Sequence, residues 1–295
     1  MRLDEIYAAK NPAISVEFFP PKSPEGEADL AIRIPEIAAL KPAFCSVTYG
    51  AGGSGRGRTL DWVHRVKYEF GLEVMCHLTC VGQSRDEVQS VLRQLSADGI
   101  ENIIALRGDA PGGVENFQAH PEGYHYAGEL VRAARAMNFA VAVAGFPEVH
   151  PESKSRESDI TYLKQKVDEG ASAVITQLFF DNADYFRYVE AARKAGVTVP
   201  IIPGILPFRT VDELRRFTTK YARTFSGPAS VPQQLEKRLP GVESDPAASA
   251  KLGIDWATRQ CRELLDQGAP GIHFYCMNKS STVETILRNL HLHTV

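Results

Sequence analysis

Short apolar runs alternate with amphipathic stretches along the whole chain. The runs are Ile14–Phe19, Phe44–Tyr49, Glu73–Thr79, Asn102–Leu106, Ala140–Phe146, Ala173–Phe180, Pro200–Leu206 and Gly271–Cys276. Most are too continuously apolar for a strand with one wet face, which predicts strands covered on both sides, as in a parallel sheet. Between them the apolar positions take helical spacing, over Ala28–Leu40, Thr59–Phe70, Tyr126–Met137, Ser158–Glu169, Ala183–Lys194, Ile254–Leu265 and Val283–His291. Ser84-Arg85-Asp86-Glu87 and Thr210-Val211-Asp212-Glu213 are capping boxes. The first opens a helix with Val88, Val91, Leu92 and Leu95 on one face, and the second opens one that reaches about Tyr221. Pro35 weakens the first of these helices. Gly71, Gly99, Gly170, Gly196 and Gly268 each stand between a helix and the next strand, the position of a left-handed C-cap. A polar, proline-dotted stretch, Ser226–Ala248, reads as an insertion.

Eight strand–helix repeats in 295 residues predict an α/β fold, a single-domain (β/α)8 TIM barrel spanning 1–295. A doubly wound open sheet is the competing arrangement. The composition, 44% hydrophobic and 23% charged, is that of a globular domain. A formal charge of -3 provides no electrostatic attraction for nucleic acid or an anionic membrane, so neither is expected as a partner. The N-terminus lacks the apolar core of a signal peptide and no run is long enough to span a bilayer, which predicts a cytoplasmic protein. Cys45, Cys76, Cys80, Cys261 and Cys276 are odd in number and lack framework spacing, against structural disulfides. His77 lies between Cys76 and Cys80, but neighbours in a strand face opposite sides, so no metal site is expected.

Two motifs carry false promise. Gly50-Ala51-Gly52-Gly53-Ser54-Gly55 fits G-x-G-x-x-G after a strand and before a helix. The acid of a dinucleotide fold belongs at the end of the next strand, whereas Glu73 begins it, and the lysine of a P-loop is missing. A flexible loop over a barrel mouth is the better reading. Arg107-Gly108-Asp109 spells an adhesion tripeptide but lies at the tip of a buried strand in a chain with no secretion signal.

Polar groups gather at the C-terminal strand ends, where barrels of this kind hold their chemistry. These are Glu17, Thr48, Tyr49, His77, Thr79, Arg107, Asp109, Phe146, Glu148, His150, Gln177, Asp181 and Tyr275. Glu17 precedes Phe18-Phe19-Pro20-Pro21, and apolar company would raise its pKa and let it hold a proton for donation. A buried pair with a lysine or arginine is the structural alternative. Asp109, beside Arg107, is expected to be ionised and to stabilise a developing cation, with a turn cap or a salt bridge to Arg107 as the structural alternative.

These segments resemble the bacterial, single-domain methylenetetrahydrofolate reductase family. The matching stretches are Glu17–Pro21, Val47–Gly53, His77–Thr79, Leu106–Asp109, Pro147–Pro151, Thr176–Asp181, Ile202–Pro207 and His273–Tyr275. The resemblance implies a flavoprotein carrying FAD that takes hydride from NAD(P)H. It then reduces 5,10-methylenetetrahydrofolate to 5-methyltetrahydrofolate in a ping-pong cycle, supplying methyl groups for methionine synthesis. It implies Glu17 as general acid and Asp109 as the anion beside flavin and pterin. Thr48, Gln177, Phe217, Glu213, Lys279 and Tyr275 would contact substrate. Tyr49, Ala51, His77, Arg107, Gly108, Asp109, Tyr126, Ala127, Phe146, His150, Asp159 and Lys166 would contact the flavin. A homo-oligomer is expected. The chain departs from the pattern at Phe146 for tyrosine, Gln165 for arginine, Glu213 for glutamine and Lys279 for arginine. Loss of the arginine at 165 removes a bidentate fork from the expected diphosphate clamp, with Lys164 or Lys166 to compensate.

Overall fold

The structure, a computed structural model, describes residues 1–9, 12–49, 56–108 and 119–292. Its strands are β1 (Ala13–Phe18), β2 (Phe44–Val47), β3 (Val74–Thr79), β4 (Asn102–Leu106), β5 (Ala140–Gly145), β6 (Ala173–Thr176), β7 (Ile201–Ile202) and β8 (Gly204–Ile205). A small hairpin follows, β9 (Arg223–Thr224) with β10 (Gly227–Pro228), and then β11 (Gly271–Phe274). Every neighbour pair in the main sheet is parallel, in the order β7-β6-β5-β4-β3-β2-β1-β11-β8. β7 and β8 are two halves of one strand divided at Pro203, which has no N–H to give to a ladder. The first half pairs with β6 through Val174↔Ile201, and the second with β11 through His273↔Gly204. The sheet therefore closes on itself, and the open doubly wound alternative is excluded.

Alternation of side chains sorts each strand between two cores. Val16, Phe18, Cys45, Val47, Val74, Cys76, Leu78, Ile103, Val141, Val143 and Val174 face outward and pack in one cluster with helix residues such as Leu30, Ile34, Val91 and Leu92. Ala13, Phe44, Met75, Ile104, Ala140, Ala142, Ala173, Ile175 and Ile202 fill the barrel. A short helix, α1 (Leu3–Ala8), sends Leu3 and Ile6 into that inner cluster. Asn102, the first residue of β4, accepts from the Leu3 N–H at 2.8 Å and so ties α1 beneath the barrel. The periodicity of the sequence did not reveal α1.

The outer helices are α2 (Pro24–Ala38), α3 (Arg56–Tyr68), α4 (Arg85–Ala97), α5 (Ala127–Ala136), α6 (Arg156–Asp168), α7 (Asn182–Lys194), α8 (Val211–Arg216), α9 (Gln233–Glu236), α10 (Pro246–Asp266) and α11 (Ser280–Asn289). α2 runs through Pro35, which sits on its exposed face, where the lost backbone bond leaves its carbonyl partner near water. Ser84 caps α4 by accepting from the Glu87 N–H, and Thr210 caps α8 by accepting from the Glu213 N–H. After α8 the chain widens into a π-type turn, Phe217–Tyr221. The stretch 226–248 is not a purely solvated insertion. Ala229, Leu235 and Leu239 bury themselves against Leu178, Phe180, Phe208 and Trp256, and α10 starts at Pro246, earlier than its apolar spacing suggests. No helix among the described residues is long and apolar enough to cross a membrane.

Candidate active site

The inner face of β1 presents Ala13, Ser15 and Glu17 in turn, so Glu17 points into the barrel at its C-terminal mouth. It is 6% exposed. Its Oε2 lies 3.2 Å from Nε2 of His77 on β3 and 3.7 Å from Nε2 of His273 on β11. The Ser46 hydroxyl, on β2, approaches the same oxygen at 3.5 Å. His77 acts on Glu17 mainly through its charge, with a smaller hydrogen-bonding contribution. Burial pushes the Glu17 carboxyl up, but the charges and hydrogen bonds of the two imidazoles outweigh it and hold the pKa at about 2. This corrects the expectation from Phe18–Pro21: those neighbours do not leave Glu17 protonated, and its buried partners are two histidines in place of a lysine or arginine.

His273 has a role that strand-end reading missed. It is 1% exposed, its Nδ1 sits 2.8 Å from the Ser15 hydroxyl, Phe44 stacks along its ring, and Tyr275 meets it edge-on. Counting back two residues from Tyr275 puts His273 on the same inner face, a signal available in the sequence. The Tyr275 hydroxyl donates to the Thr176 carbonyl at 2.6 Å, and proximity to Glu17 adds to the burial that raises its pKa.

A second polar zone covers the ends of β3 to β5. Thr79 Oγ1 and Gln83 Oε1 are buried with no hydrogen-bond partner among the described residues. Arg107 makes a two-pronged pair with Glu152 at 2.5 and 2.6 Å, which lowers the Glu152 pKa. Gly108, at φ +92, passes so close to β3 that an added Cβ would stand 2.4 Å from Val81 Cγ1. The Lys166 stem is partly exposed but its ammonium end is deep, donating to the Ala144 carbonyl at 2.7 Å. Burial lowers its pKa to about 8, against the pull of Asp159. Burial raises Asp159, which accepts from the Ser153 hydroxyl. Phe146 meets the His150 ring edge-on at 4.5 Å. Between them Val149 takes φ +72, a strained conformation for a β-branched residue. Tyr126 leaves its ring 70% exposed just before Ala127 opens α5.

The remaining predicted positions differ in how they are engaged. The Thr48 carbonyl accepts from the Thr59 hydroxyl, and Tyr49 is buried beside it. The Gln177 amide nitrogen donates to the Tyr221 carbonyl at 3.3 Å while its oxygen accepts from the Leu178 N–H. Phe217 packs in the cluster of Leu178, Leu214 and Trp256 and leans on Tyr221. Glu213 is buried against Arg209, accepting from its backbone N–H at 2.7 Å and from its guanidinium at 3.1 Å. Lys279 pairs with Asp29 at 3.3 Å. Gln165 is exposed on α6. Ala51 and Asp109 lie outside the described residues.

A buried acid flanked by imidazoles at the mouth of a closed barrel is the setting for proton transfer to a bound substrate. The methylenetetrahydrofolate reductase family model matches residues 2–291. The chain belongs to the methylenetetrahydrofolate reductase family. It is 37% identical to 5,10-methylenetetrahydrofolate reductase of Salmonella typhimurium over 94% of this chain and 90% of that one. It is 35% identical to methylenetetrahydrofolate reductase (NADH) 1 of Zea mays over 95% of this chain and 48% of that one. The chain thus spans about half the length of the plant relatives it matches. Among solved structures, a lyase/mutase from Burkholderia cenocepacia J2315 shares the fold at a TM-score of 0.50 and 12% identity, covering 98% of this chain and 84% of that one.

Proposed function

We propose that this chain reduces 5,10-methylenetetrahydrofolate to 5-methyltetrahydrofolate with NAD(P)H, using FAD. Family membership supports the reaction class, and the observation that carries the reading is Glu17, a carboxylate sunk in the barrel mouth between His77 and His273.

The residues fit a flavin. Arg107 and Lys166 provide positive charge for a diphosphate, and Tyr126 provides an open ring surface at the start of α5. Thr79 Oγ1 and Gln83 Oε1 are buried groups with hydrogen-bonding capacity to spare among the described residues. His77, Tyr49, Gly108, Ala127, Phe146, His150 and Asp159 complete the set, together with Ala51 and Asp109. When bound, FAD supplies the two-electron relay that lets NAD(P)H and the folate use one pocket in turn.

Glu17, ionised at rest, passes a proton to N10 of the folate, so that the N10–carbon bond of the five-membered ring breaks and an iminium forms at N5. A positioned acid contributes about 10²–10⁴ to such a step. The negative charge of Asp109 stabilises that cation. Gln177 turns its amide from the Tyr221 carbonyl to the pterin, and Phe217 packs against it. Thr48, Tyr275, Glu213 and Lys279 border the folate, the last two replacing residues usual in the family. The working form is a homo-oligomer in the cytoplasm.

The purified chain, supplied with FAD, should be yellow, bleach with NAD(P)H without oxygen, and recover its colour on addition of methylenetetrahydrofolate with formation of the methyl product. A protein that binds the folate but retains no flavin overturns the reading.

A further inference from the structure

The interior of the barrel holds a line of polar groups that runs inward from Glu17. Ser15 and His273 are both almost wholly shielded from water, yet one imidazole nitrogen meets the serine at 2.8 Å and the other faces the glutamate at 3.7 Å. A histidine that only filled core volume would not need both nitrogens directed at polar partners. The other titratable groups facing this line are His77 across the mouth, Tyr275 and Cys276 beside β11, and Tyr7 of α1 next to Ser15. Tyr275 is committed to the Thr176 carbonyl, and the Cys276 thiol donates to the Glu17 backbone carbonyl at 3.2 Å. Neither competes for the Glu17 side chain as a donor. The Tyr7 hydroxyl is buried near Ser15, with no well-aligned hydrogen-bond partner among the described residues.

We propose that His273, oriented by Ser15, is a positioning residue that stores the proton Glu17 delivers, so that the acid of this site is a Glu17–His273 pair. This rests on the folate-reducing reading above. Before delivery the imidazolium carries the proton on Nε2 and Glu17 is ionised. The Nε2–H bond breaks as a new O–H bond forms on Glu17. That O–H bond then breaks as the proton reaches the substrate nitrogen, leaving neutral His273 and ionised Glu17. One proton leaves the pair and one arrives on the substrate. Water at the mouth, on the His77 side, replaces it through Glu17, because His273 is shielded from solvent. The 3.7 Å gap closes with a small side-chain shift, as hydrogen bonds at such sites tighten once substrate is bound.

The test has two readouts. Nitrogen-15 histidine NMR of the whole chain reports on the His273 ring without any turnover. With Glu17→Gln, its Nε2 resonance should move toward that of a neutral ring, since the opposite charge it faces is gone. An unmoved resonance overturns the proposal even if the enzyme turns over, and the result stands whether or not the folate reading does. The second readout is the pH profile of the methyl-forming half-reaction in reduced enzyme. His273→Gln should slow it more than tenfold on the alkaline side and shift the profile, leaving reduction by NAD(P)H within about twofold of wild type. Ser15→Ala, which keeps the ring, should shift it in the same direction by less, and serves if His273→Gln does not fold. Loss by one factor at every pH, or equal loss in both half-reactions, makes His273 a packing residue and contradicts the proposal. Wild-type protein that performs neither half-reaction is a failure of the folate reading.

Discussion

The Tyr275 hydroxyl reaches across β8 to the Thr176 carbonyl, 2.6 Å away, over the seam where the barrel closes. It can do so because position 204 has no side chain. An added Cβ there would lie 2.3 Å from the Thr176 oxygen and 2.6 Å from the Tyr275 ring. The Gly204 N–H meanwhile donates to the Thr176 hydroxyl at 2.9 Å, so one glycine joins β6, β8 and β11 next to the acid. Gly204→Ala should cost about 1–3 kcal/mol or more in urea unfolding, since the clash is with backbone and a packed ring. Unfolding indistinguishable from wild type means that the seam is looser than described.

Glu17 gives the fold an acid-sensitive contribution. Its folded pKa of about 2 lies below the ordinary carboxyl value of 4.5, so stability from its ionised form is full above about 4.5 and is lost as pH falls toward about 2. The contribution is on the order of 3 kcal/mol at neutral pH. Urea midpoints of wild type and Glu17→Gln, compared from pH 5.5 down to 3.5, should converge as the solution becomes more acid. A constant gap shows that the carboxylate is not held ionised by its imidazoles.

The strand order was legible because most runs are apolar on both faces and several helices end in a glycine. Gly71, Gly99, Gly170, Gly196 and Gly268 all take positive φ, as their place between helix and strand implies. What escaped was either short or distant. α1 buries only Leu3 and Ile6, too few to show a period, and the 226–248 stretch enters the core through isolated Ala229, Leu235 and Leu239. The Glu17 pKa was misread because Phe18 and Phe19 are its neighbours in sequence, while its neighbours in space come from β3 and β11. Barrel closure makes that environment, and periodicity does not report it.

Lys166 should shift stability in the same direction with pH as Glu17, but in an alkaline window and because burial disfavours its charged form. Its pKa is lowered from 10.5 to about 8, so the folded state prefers the neutral amine and wild-type stability gains as pH climbs from about 8 to about 10.5. Measured against Lys166→Met, the urea midpoint of wild type should rise over that window. The same variant should hold FAD more weakly, read as flavin released on dilution. A flat pH comparison means that the ammonium is more solvated than its place beneath Ala144 indicates.

The central claim is that Glu17 serves the folate step alone. Rapid mixing of Glu17→Gln without oxygen separates the two half-reactions. Reduction by NAD(P)H should stay near the wild-type rate, while methyl formation from reduced enzyme should drop by about 10²–10⁴. Equal loss in both halves, or methyl formation at the wild-type rate, would contradict the account.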